Sequence, residues 1–281
     1  MKSVYFILIL IGVFTSSMKT AYAQRVYADQ QQNDATLLLA SVTDPAYSVD
    51  TDTTNHSILN VTLSLISAGT ATQNLQFTGA VKPQPTAPLM IRFASQGSVL
   101  GFFDGVTAQR TFGGINQTVG EPYASDNLLD LLGLVGTEEP SDATVPIPGT
   151  NAPSDGVQLT ISSGLLGLGF TVDLYYAFFI TPPSLMSTDI SVCEGELALV
   201  GISNFQSGYT YTIYDALTGG NLLLSGTSDV LSLSMEGRTS GTYYIEAVEA
   251  GTEFASSRTA FTITIYPKPG YPDIHLNVNQ N

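Results

Sequence analysis

Short segments that alternate apolar and polar residues recur along this sequence and constrain its fold more than any other feature. The alternation is clearest in TYTIY (residues 210–214), VLSLSM (230–235) and FTITIY (261–266). Successive side chains of a β-strand point to opposite faces of a sheet, so each segment can bury one of its faces. Gly, Pro, Asn, Asp and Ser separate the segments, as they do between strands. The pattern predicts an all-β chain.

The segments fall into two blocks. The first block predicts strands at residues 58–66, 89–93, 99–103, 157–161 and 170–180. Leucine-rich residues 128–135 suit a short helix, and residues 137–156 predict an exposed, Pro-rich loop. The second block predicts seven strands at the spacing of a β-sandwich, with a tight hairpin turn at Gly219 and Gly220. These seven strands are residues 190–193, 196–201, 209–215, 221–224, 230–235, 242–248 and 259–266.

The N-terminus predicts export. Lys2 precedes an apolar stretch over residues 4–14, and Ala21-Tyr22-Ala23 supplies a small-x-small cleavage pattern. The alternative is an N-terminal membrane anchor, but the apolar stretch is short for a bilayer span of about 20 residues. The sequence therefore predicts a signal peptide at residues 1–23 and a secreted or cell-surface protein.

Two adjacent prolines, Pro182 and Pro183, suggest where the two blocks are joined, because they prevent a helix or a central strand from continuing. The predicted organisation is a first β-sandwich over residues 24–181, a linker over 182–187, a second sandwich over 188–267 and a C-terminal tail over 268–281.

The charge balance limits the partners. The chain has 24 acidic and nine basic residues, and two of the basic residues, Lys2 and Lys19, belong to the predicted signal. Nucleic acid and anionic membranes would be repelled, and there is no cluster of Lys or Arg. No later segment is long enough to span a bilayer, so the mature chain is predicted not to insert into a membrane.

Cys193 is the only cysteine, so neither an intramolecular disulfide nor a cysteine-based metal cluster can form. We expect Cys193 to be a small buried residue and not a reactive thiol. Stability must then come from the apolar core.

The sequence predicts no catalytic site. A Ser–His–Asp site would have to use His56, since His275 lies in the tail, and no nucleophile-elbow motif is present. Glu138 and Glu139 lie in the Pro-rich segment, where a solvated acidic turn is the simpler interpretation. A carboxylate pair contributed by distant strands stays open as a route to glycoside hydrolysis.

Calcium is the most credible cofactor. Asp50, Asp52 and Asn55 offer hard oxygen ligands within six residues, in a loop without the glycine and glutamate of an EF-hand. The alternative is an Asx-turn, in which these side chains accept hydrogen bonds from their own backbone.

Aromatic residues are the remaining candidates for binding. Tyr175-Tyr176 and Phe178-Phe179 lie in one predicted strand, so one member of each pair can be exposed, although burial in the core is the commoner outcome. If carbohydrate binds, we expect it on loops near residues 50–55 or 103–109, because loops usually carry binding residues.

The second block resembles a known family. ISVCEGE (residues 190–196) and SGTYYI (240–245) look like the Ig-like modules of bacterial surface adhesins, which are common in gliding bacteria that export through the type IX system. In that family the early cysteine often pairs with a second one in the hairpin before the last strand. Here that hairpin, residues 250–254, has no cysteine, so Cys193 would be a free thiol. Tyr243 suggests either a tyrosine corner or a tyrosine pair packed on the sheet.

The first block is similar, in fewer residues, to the discoidin-like jelly-roll modules that precede Ig arrays in such adhesins. The similarity lies in residues 45–52, 154–159 and 170–175. Thr51 replaces the glycine usual in the first of these segments, and the chain has no Trp, which puts a standard sugar platform in doubt. The resemblance implies a jelly-roll-like sandwich followed by an Ig-like sandwich.

Three functions remain open. The first is a non-catalytic surface or secreted adhesin, with the jelly-roll-like module contacting glycan or protein and the Ig-like module serving as a spacer. The second is a structural or assembly protein that pairs through exposed edge strands. The third is a hydrolase with an unrecognised carboxylate site.

Overall fold

The computed structural model describes residues 24–62, 68–96, 105–124, 142–163 and 169–268. These residues form eighteen β-strands and a short 3₁₀-helix, Pro45–Val49, so the all-β prediction is confirmed. Among them, no helix is long and apolar enough to cross a membrane. The strands are β1 Arg25–Tyr27, β2 Gln30–Ala35, β3 Ala40–Thr43, β4 Ser57–Val61, β5 Thr70–Gln76, β6 Leu89–Gln96, β7 Val106–Thr111, β8 Thr118–Ala124, β9 Asp142–Ile147, β10 Gly156–Ser162, β11 Phe170–Ile180, β12 Asp189–Cys193, β13 Leu197–Gly201, β14 Tyr209–Tyr214, β15 Leu222–Gly226, β16 Val230–Ser234, β17 Gly241–Glu249 and β18 Thr259–Tyr266.

Strands β1 to β11 form an N-terminal sandwich of two antiparallel sheets. The first sheet has the order β3-β4-β11-β6-β9, with β1 paired to the end of β11, and the second has the order β2-β5-β10-β7-β8. The pairs are nested along the chain, since β4 pairs with β11, β5 with β10, β6 with β9 and β7 with β8. A folded ribbon of nested pairs wrapped into two sheets is a jelly-roll-like arrangement.

The core of this sandwich lies between the two sheets. Leu59, Leu75, Phe93, Leu159 and Phe179 are among its fully buried side chains. Burying a side chain of this size stabilises the fold by about 1.5–3 kcal/mol.

One prediction in the first block is wrong. The segment predicted as an exposed Pro-rich loop, residues 137–156, contains β9, which pairs with β6. Val145 and Ile147 face the core, and Pro146 is tolerated because β9 is an edge strand that pairs on one side. The predicted strand at 99–103, the possible helix at 128–135 and the acidic pair Glu138-Glu139 lie outside the described residues.

Strands β12 to β18 form the second sandwich. Its larger sheet has the order β12-β18-β17-β14-β15, in which β12 runs parallel to β18, and β13 and β16 form a two-stranded sheet. Gly219 and Gly220 have φ of +60° and +76°, as a tight hairpin turn between β14 and β15 requires. Tyr243 Oη donates to the carbonyl of Thr239 at 2.7 Å. This bond is that of a tyrosine corner, so Tyr243 is not simply one of a tyrosine pair packed on the sheet.

The expected burial of Cys193 is wrong, because this thiol is exposed. Strand β12 alternates, and Ile190 and Val192 are the residues that pack against the core. Cys193 follows Val192 by one position and therefore points to the opposite face.

The two sandwiches are joined by a packed junction. Phe178 and Ile180, at the end of β11, belong to the core of the second sandwich, and the Phe178 and Phe254 rings are 6.0 Å apart. Buried Gln24 donates from Nε2 to the Tyr211 hydroxyl at 3.0 Å. The junction holds the second sandwich against one end of the first.

Candidate ligand-binding face

A β-bulge in β11 places two adjacent tyrosines on the outer surface of the first sheet. Leu174 pairs with Phe93 and Tyr176 pairs with Arg92, so the register of β11 against β6 shifts by one residue at Tyr175. Leu174 remains in the core, whereas both Tyr175 and Tyr176 are half-buried. We expected one of the two tyrosines to be exposed, but both are partly accessible on the same surface.

Arg92, on β6, fixes both tyrosines. Its guanidinium carbon lies 5.0 Å from the centre of the Tyr175 ring and 5.7 Å from that of Tyr176. Its Nη1 also donates to the Tyr176 hydroxyl at 3.2 Å. A guanidinium within about 6 Å of an aromatic face is attracted by the ring quadrupole, so Arg92 restricts both rings.

Tyr27, on β1, extends this surface towards the junction. Its ring meets Tyr176 edge to face, with centres 5.3 Å apart and planes at 80°, and its side chain is 37% exposed. We name the surface formed by Tyr27, Arg92, Tyr175 and Tyr176 the tyrosine face. Edge-to-face packing of this kind stabilises ring pairs and holds them in one orientation.

Residues of the junction contact the tyrosine face. Arg25 lies 4.2 Å over the Phe178 ring and forms an ion pair with Glu249 of the second sandwich at 2.6 Å. Burial opposes the charge of Arg25, but its hydrogen bonds to Glu249 and Tyr27 outweigh burial and raise its pKa. Arg25 therefore stays charged and links Tyr27 to the second sandwich. The other predicted pair, Phe178-Phe179, is fully buried.

His56 borders the tyrosine face on the opposite side. Its ring centre is 5.1 Å from that of Tyr175, and its Nε2 is 3.8 Å from Oδ2 of buried Asp173. A hydrolytic triad would need a nucleophile bonded to the other ring nitrogen, and among the described residues His56 Nδ1 has no hydrogen-bond partner. His56 therefore places a polar side chain beside the aromatic surface of Tyr175.

The residues predicted to hold calcium lie in one loop and bond to one another. Asp50 accepts from the Asp52 amide at 2.8 Å and from Asn55 Nδ2 at 2.8 Å. Asp52 accepts from the hydroxyl and amide of Thr54, which lower the pKa of its carboxyl. These are the contacts of the Asx-turn alternative. No group of three His, Cys, Asp or Glu side chains in the described part of the chain is arranged to hold a metal ion. Calcium at Asp50, Asp52 and Asn55 stays a prediction.

Sequence reasoning identified only part of the tyrosine face. It singled out Tyr175 and Tyr176, but not Tyr27 or Arg92, which reach the face through pairing between distant segments. No local pattern marks either residue. Of the second loop expected to carry ligand, residues 103 and 104 lie outside the described residues, and the rest leads into β7.

Three of the solved structures that resemble this chain are distant likenesses. A β-1,2-glucanase from Parabacteroides distasonis is 16% identical with a TM-score of 0.36, over 87% of this chain and 37% of the glucanase, so this chain spans little more than a third of it. The adhesin domain of Epf from Streptococcus pyogenes is 12% identical with a TM-score of 0.29, over 86% of this chain and 94% of that one. TmCBM61 in complex with β-1,4-galactotriose is 13% identical with a TM-score of 0.26, over 53% and 88%. All three TM-scores lie below 0.5, so these structures say nothing about what this chain binds.

Sequence comparison is informative for the second sandwich. No curated protein matches the chain. The family model described as Ig-like domain CHU_C associated matches residues 181–267, which include β12 to β18. The chain therefore carries an Ig-like domain at its C-terminal end.

Proposed function

We propose that this protein is an exported, non-catalytic binding protein of the cell surface or its surroundings, and that its tyrosine face binds a glycan. The observation that carries the proposal is the tyrosine face itself. Tyr27, Tyr175 and Tyr176 are accessible on one surface, and Arg92 holds two of them. Binding sites for small ligands combine aromatic side chains with a few placed polar groups, as this surface does.

The rigidity of the tyrosine face favours binding over mere packing. Tyrosine offers a large amphipathic contact area with few rotatable bonds. Here Tyr27 and Tyr176 are also held edge to face. Side chains that are already fixed lose little entropy when a ligand arrives. The aromatic surfaces would contact the C–H faces of a sugar, while His56 and Arg92 supply polar atoms beside them.

The proposed organisation assigns a spacer role to the Ig-like domain. It comprises a signal peptide over residues 1–23, a binding domain over 24–181, a linker over 182–187, the Ig-like domain over 188–267 and a tail over 268–281. The hydrogen bond between Gln24 and Tyr211 and the ion pair between Arg25 and Glu249 favour a stiff spacer. Export through the type IX system is part of the proposal and is supported by the resemblance of residues 190–196 to adhesin modules.

A polysaccharide array tests the glycan proposal, followed by calorimetry with the oligosaccharide that binds most strongly. We expect Tyr27→Ala and Tyr175→Ala each to weaken binding at least about tenfold, since each removes an aromatic contact worth more than 1.4 kcal/mol. Tyr266→Ala is the matched control, because Tyr266 is a 56% exposed tyrosine on β18 of the Ig-like domain. Equal binding by all variants, or no binding by the wild type to any glycan, would remove the tyrosine face as the site.

Assembly through edge strands is a second candidate function, and one observation favours it. Strands β13 and β16 form a two-stranded sheet, and Leu197 and Leu199 on β13 are 55% and 60% exposed. A strand from another chain could extend this sheet and cover both leucines. Sedimentation equilibrium of the wild type and Leu199→Ser tests it. A monomer at every concentration would exclude pairing between copies.

Calcium binding by Asp50, Asp52 and Asn55 is tested separately. Bound calcium would raise the melting temperature through mass action. Melting curves in calcium and in chelator should then differ, and Asp50→Asn should abolish the difference. Identical curves for the wild type would end the calcium proposal without affecting the tyrosine face.

A further inference from the structure

The outer face of the first sheet continues beneath the Ig-like domain. On β11, Tyr176 and Phe178 are two positions apart, so their side chains point to the same face. Their partners across β6, Arg92 and Met90, point to that face as well. Phe178 and Met90 are fully buried in the core of the Ig-like domain, whereas Tyr176 and Arg92 are half-buried. The tyrosine face therefore lies directly beside the part of the sheet that the Ig-like domain covers.

The Ig-like domain borders the tyrosine face through the end of β17 and the hairpin that follows it. The Phe254 ring, in this hairpin, is 6.0 Å from the Phe178 ring. Tyr176 packs against the same cluster of buried side chains. Glu249, the last residue of β17, forms an ion pair with Arg25 on β1. A ligand on the tyrosine face would thus meet the Ig-like domain on one side.

Arg25 connects Glu249 to Tyr27. Glu249 Oε2 accepts from Arg25 Nη2 at 2.6 Å, and Arg25 Nη1 donates to the Tyr27 hydroxyl at 3.4 Å. A guanidinium is planar and holds its donors in a fixed fork, so a carboxylate that fixes one edge also orients the other. The side chains of Arg25 and Glu249 are 26% and 20% exposed, so salt screens their attraction only in part.

Tyr27 lies on the shortest strand of the tyrosine face. Strand β1 has three residues and pairs with the end of β11. A short strand near a chain end opens more readily than a central strand does. Tyr27 is contacted by Arg25 and by the ring of Tyr176. The orientation of Tyr27 should therefore depend on Arg25 and, through Arg25, on Glu249.

We propose that the Ig-like domain takes part in the ligand site, and that its Glu249 is a positioning residue that orients Tyr27 through Arg25. This inference rests on the proposed function, because the ligand concerned is the glycan of the tyrosine face, and it adds to the spacer role of the Ig-like domain. Binding and domain docking are then coupled. A ligand that needs Tyr27 in place favours the docked arrangement, and docking favours the ligand to the same extent.

Fluorine NMR of the exported chain labelled with 3-fluorotyrosine tests the positioning role without any glycan. Glu249→Ala should shift and broaden the Tyr27 signal, since Tyr27 loses the support that orients its ring. Glu246→Ala is the matched control, because Glu246 lies on the same strand and forms an ion pair with Arg258 at 3.0 Å within the Ig-like domain. It should perturb the signal of Tyr214, whose ring lies 3.5 Å from Arg258, and leave that of Tyr27 in place. An unchanged Tyr27 signal in Glu249→Ala overturns the proposal, as does an equal shift in both variants.

Calorimetry with the oligosaccharide selected on the array tests the coupling to binding. We expect Glu249→Ala to weaken binding about three- to tenfold and no more than Tyr27→Ala does, whereas Glu246→Ala should bind as the wild type does. In the Tyr27→Ala background, Glu249→Ala should have no further effect, because Glu249 acts through Tyr27. Losses that multiply in the double variant, or equal losses in Glu249→Ala and Glu246→Ala, overturn the proposal.

The two measurements separate this inference from the proposed function. If the wild type bound no glycan, the proposed function would fail. The Tyr27 signal of the free protein would still decide whether Glu249 positions Tyr27.

Discussion

Replacing Arg110 by methionine should destabilise the N-terminal sandwich strongly. Arg110 points inward from β7 and is 1% exposed. Its guanidinium donates to the carbonyls of Ala87 at 2.7 Å and Pro148 at 3.1 Å, and to Ser154 Oγ at 2.7 Å. No carboxylate bonds to it among the described residues, and burial lowers the pKa of Arg110 to about 10, which leaves it protonated at neutral pH.

The magnitude follows from two opposing effects. Methionine of similar length would leave two buried acceptors, the Ala87 carbonyl and Ser154 Oγ, without this donor, at about 1–3 kcal/mol each, whereas the carbonyl of exposed Pro148 can be solvated. It would also remove a buried cation whose desolvation costs several kcal/mol. We expect a net loss of about 3 kcal/mol in the free energy of unfolding, and a melting temperature about 6–12 °C lower.

Urea denaturation followed by circular dichroism measures this loss. Arg110→Lys should be at least as unstable as the methionine variant, because one ammonium keeps the charge but cannot reach acceptors on both sides. Arg238→Met is the control; half-buried Arg238 donates to the Ser234 carbonyl at 2.9 Å, and its loss should cost less than about 1 kcal/mol. A loss below about 1 kcal/mol for Arg110→Met would refute the role of Arg110 as the donor to these carbonyls.

Three further predictions concern the Ig-like domain. Tyr243→Phe should lower the free energy of unfolding by about 1 kcal/mol in urea denaturation, because the Thr239 carbonyl loses its donor. Stability should fall above pH 10 in alkaline denaturation. Burial, together with the nearby charge of Glu249, raises the pKa of Tyr209 to about 12. Above pH 10 the unfolded state therefore releases a proton that the folded state retains, which favours unfolding. The lowered pKa of Arg110 has the opposite effect on stability in this pH range. Burial also raises the pKa of Tyr211, Tyr214 and Tyr243, which act in the same direction as Tyr209. Exposed Cys193 should react with Ellman's reagent in the folded protein at a rate close to that in urea, and full protection would contradict its exposure.

The strands of the Ig-like domain could be predicted from the sequence because each buries one face. In β16, Leu231 and Leu233 are buried, and the residues that alternate with them, Val230, Ser232 and Ser234, are exposed. Strand β18 occupies the residues that its alternation predicts, and β11 also has its predicted bounds. The same alternation, applied to Ile190 and Val192, would have placed Cys193 on the outside.

In the second sheet of the N-terminal sandwich, β10 lies where a strand was predicted, but its neighbour β5 could not be predicted in this way. Strand β5 reads TATQNLQ, yet Gln73 and Asn74 are fully buried. Gln73 is satisfied by Ser48 and Ser57, and Asn74 Oδ1 accepts from Thr111, although Asn74 Nδ2 has no hydrogen-bond partner among the described residues. A sequence shows polar residues but not the partners that would satisfy them.

The tyrosine face was predictable only at its centre. Tyr175 and Tyr176 are visible in the sequence, but the bulge that exposes both depends on how β11 pairs with β6. Tyr27 and His56 come from segments far from β11 in the chain, and each meets one of these tyrosines only in the folded sheet.

A glycan that binds this protein should contact the tyrosine face. Fluorine NMR of the exported chain labelled with 3-fluorotyrosine tests this directly, because each tyrosine then reports on its own surroundings. Titration with the oligosaccharide selected from the array should shift the signals of Tyr27, Tyr175 and Tyr176, assigned by substitution, and leave that of Tyr266 in place. Shifts confined to tyrosines of the Ig-like domain, with these three signals unchanged, would contradict the account.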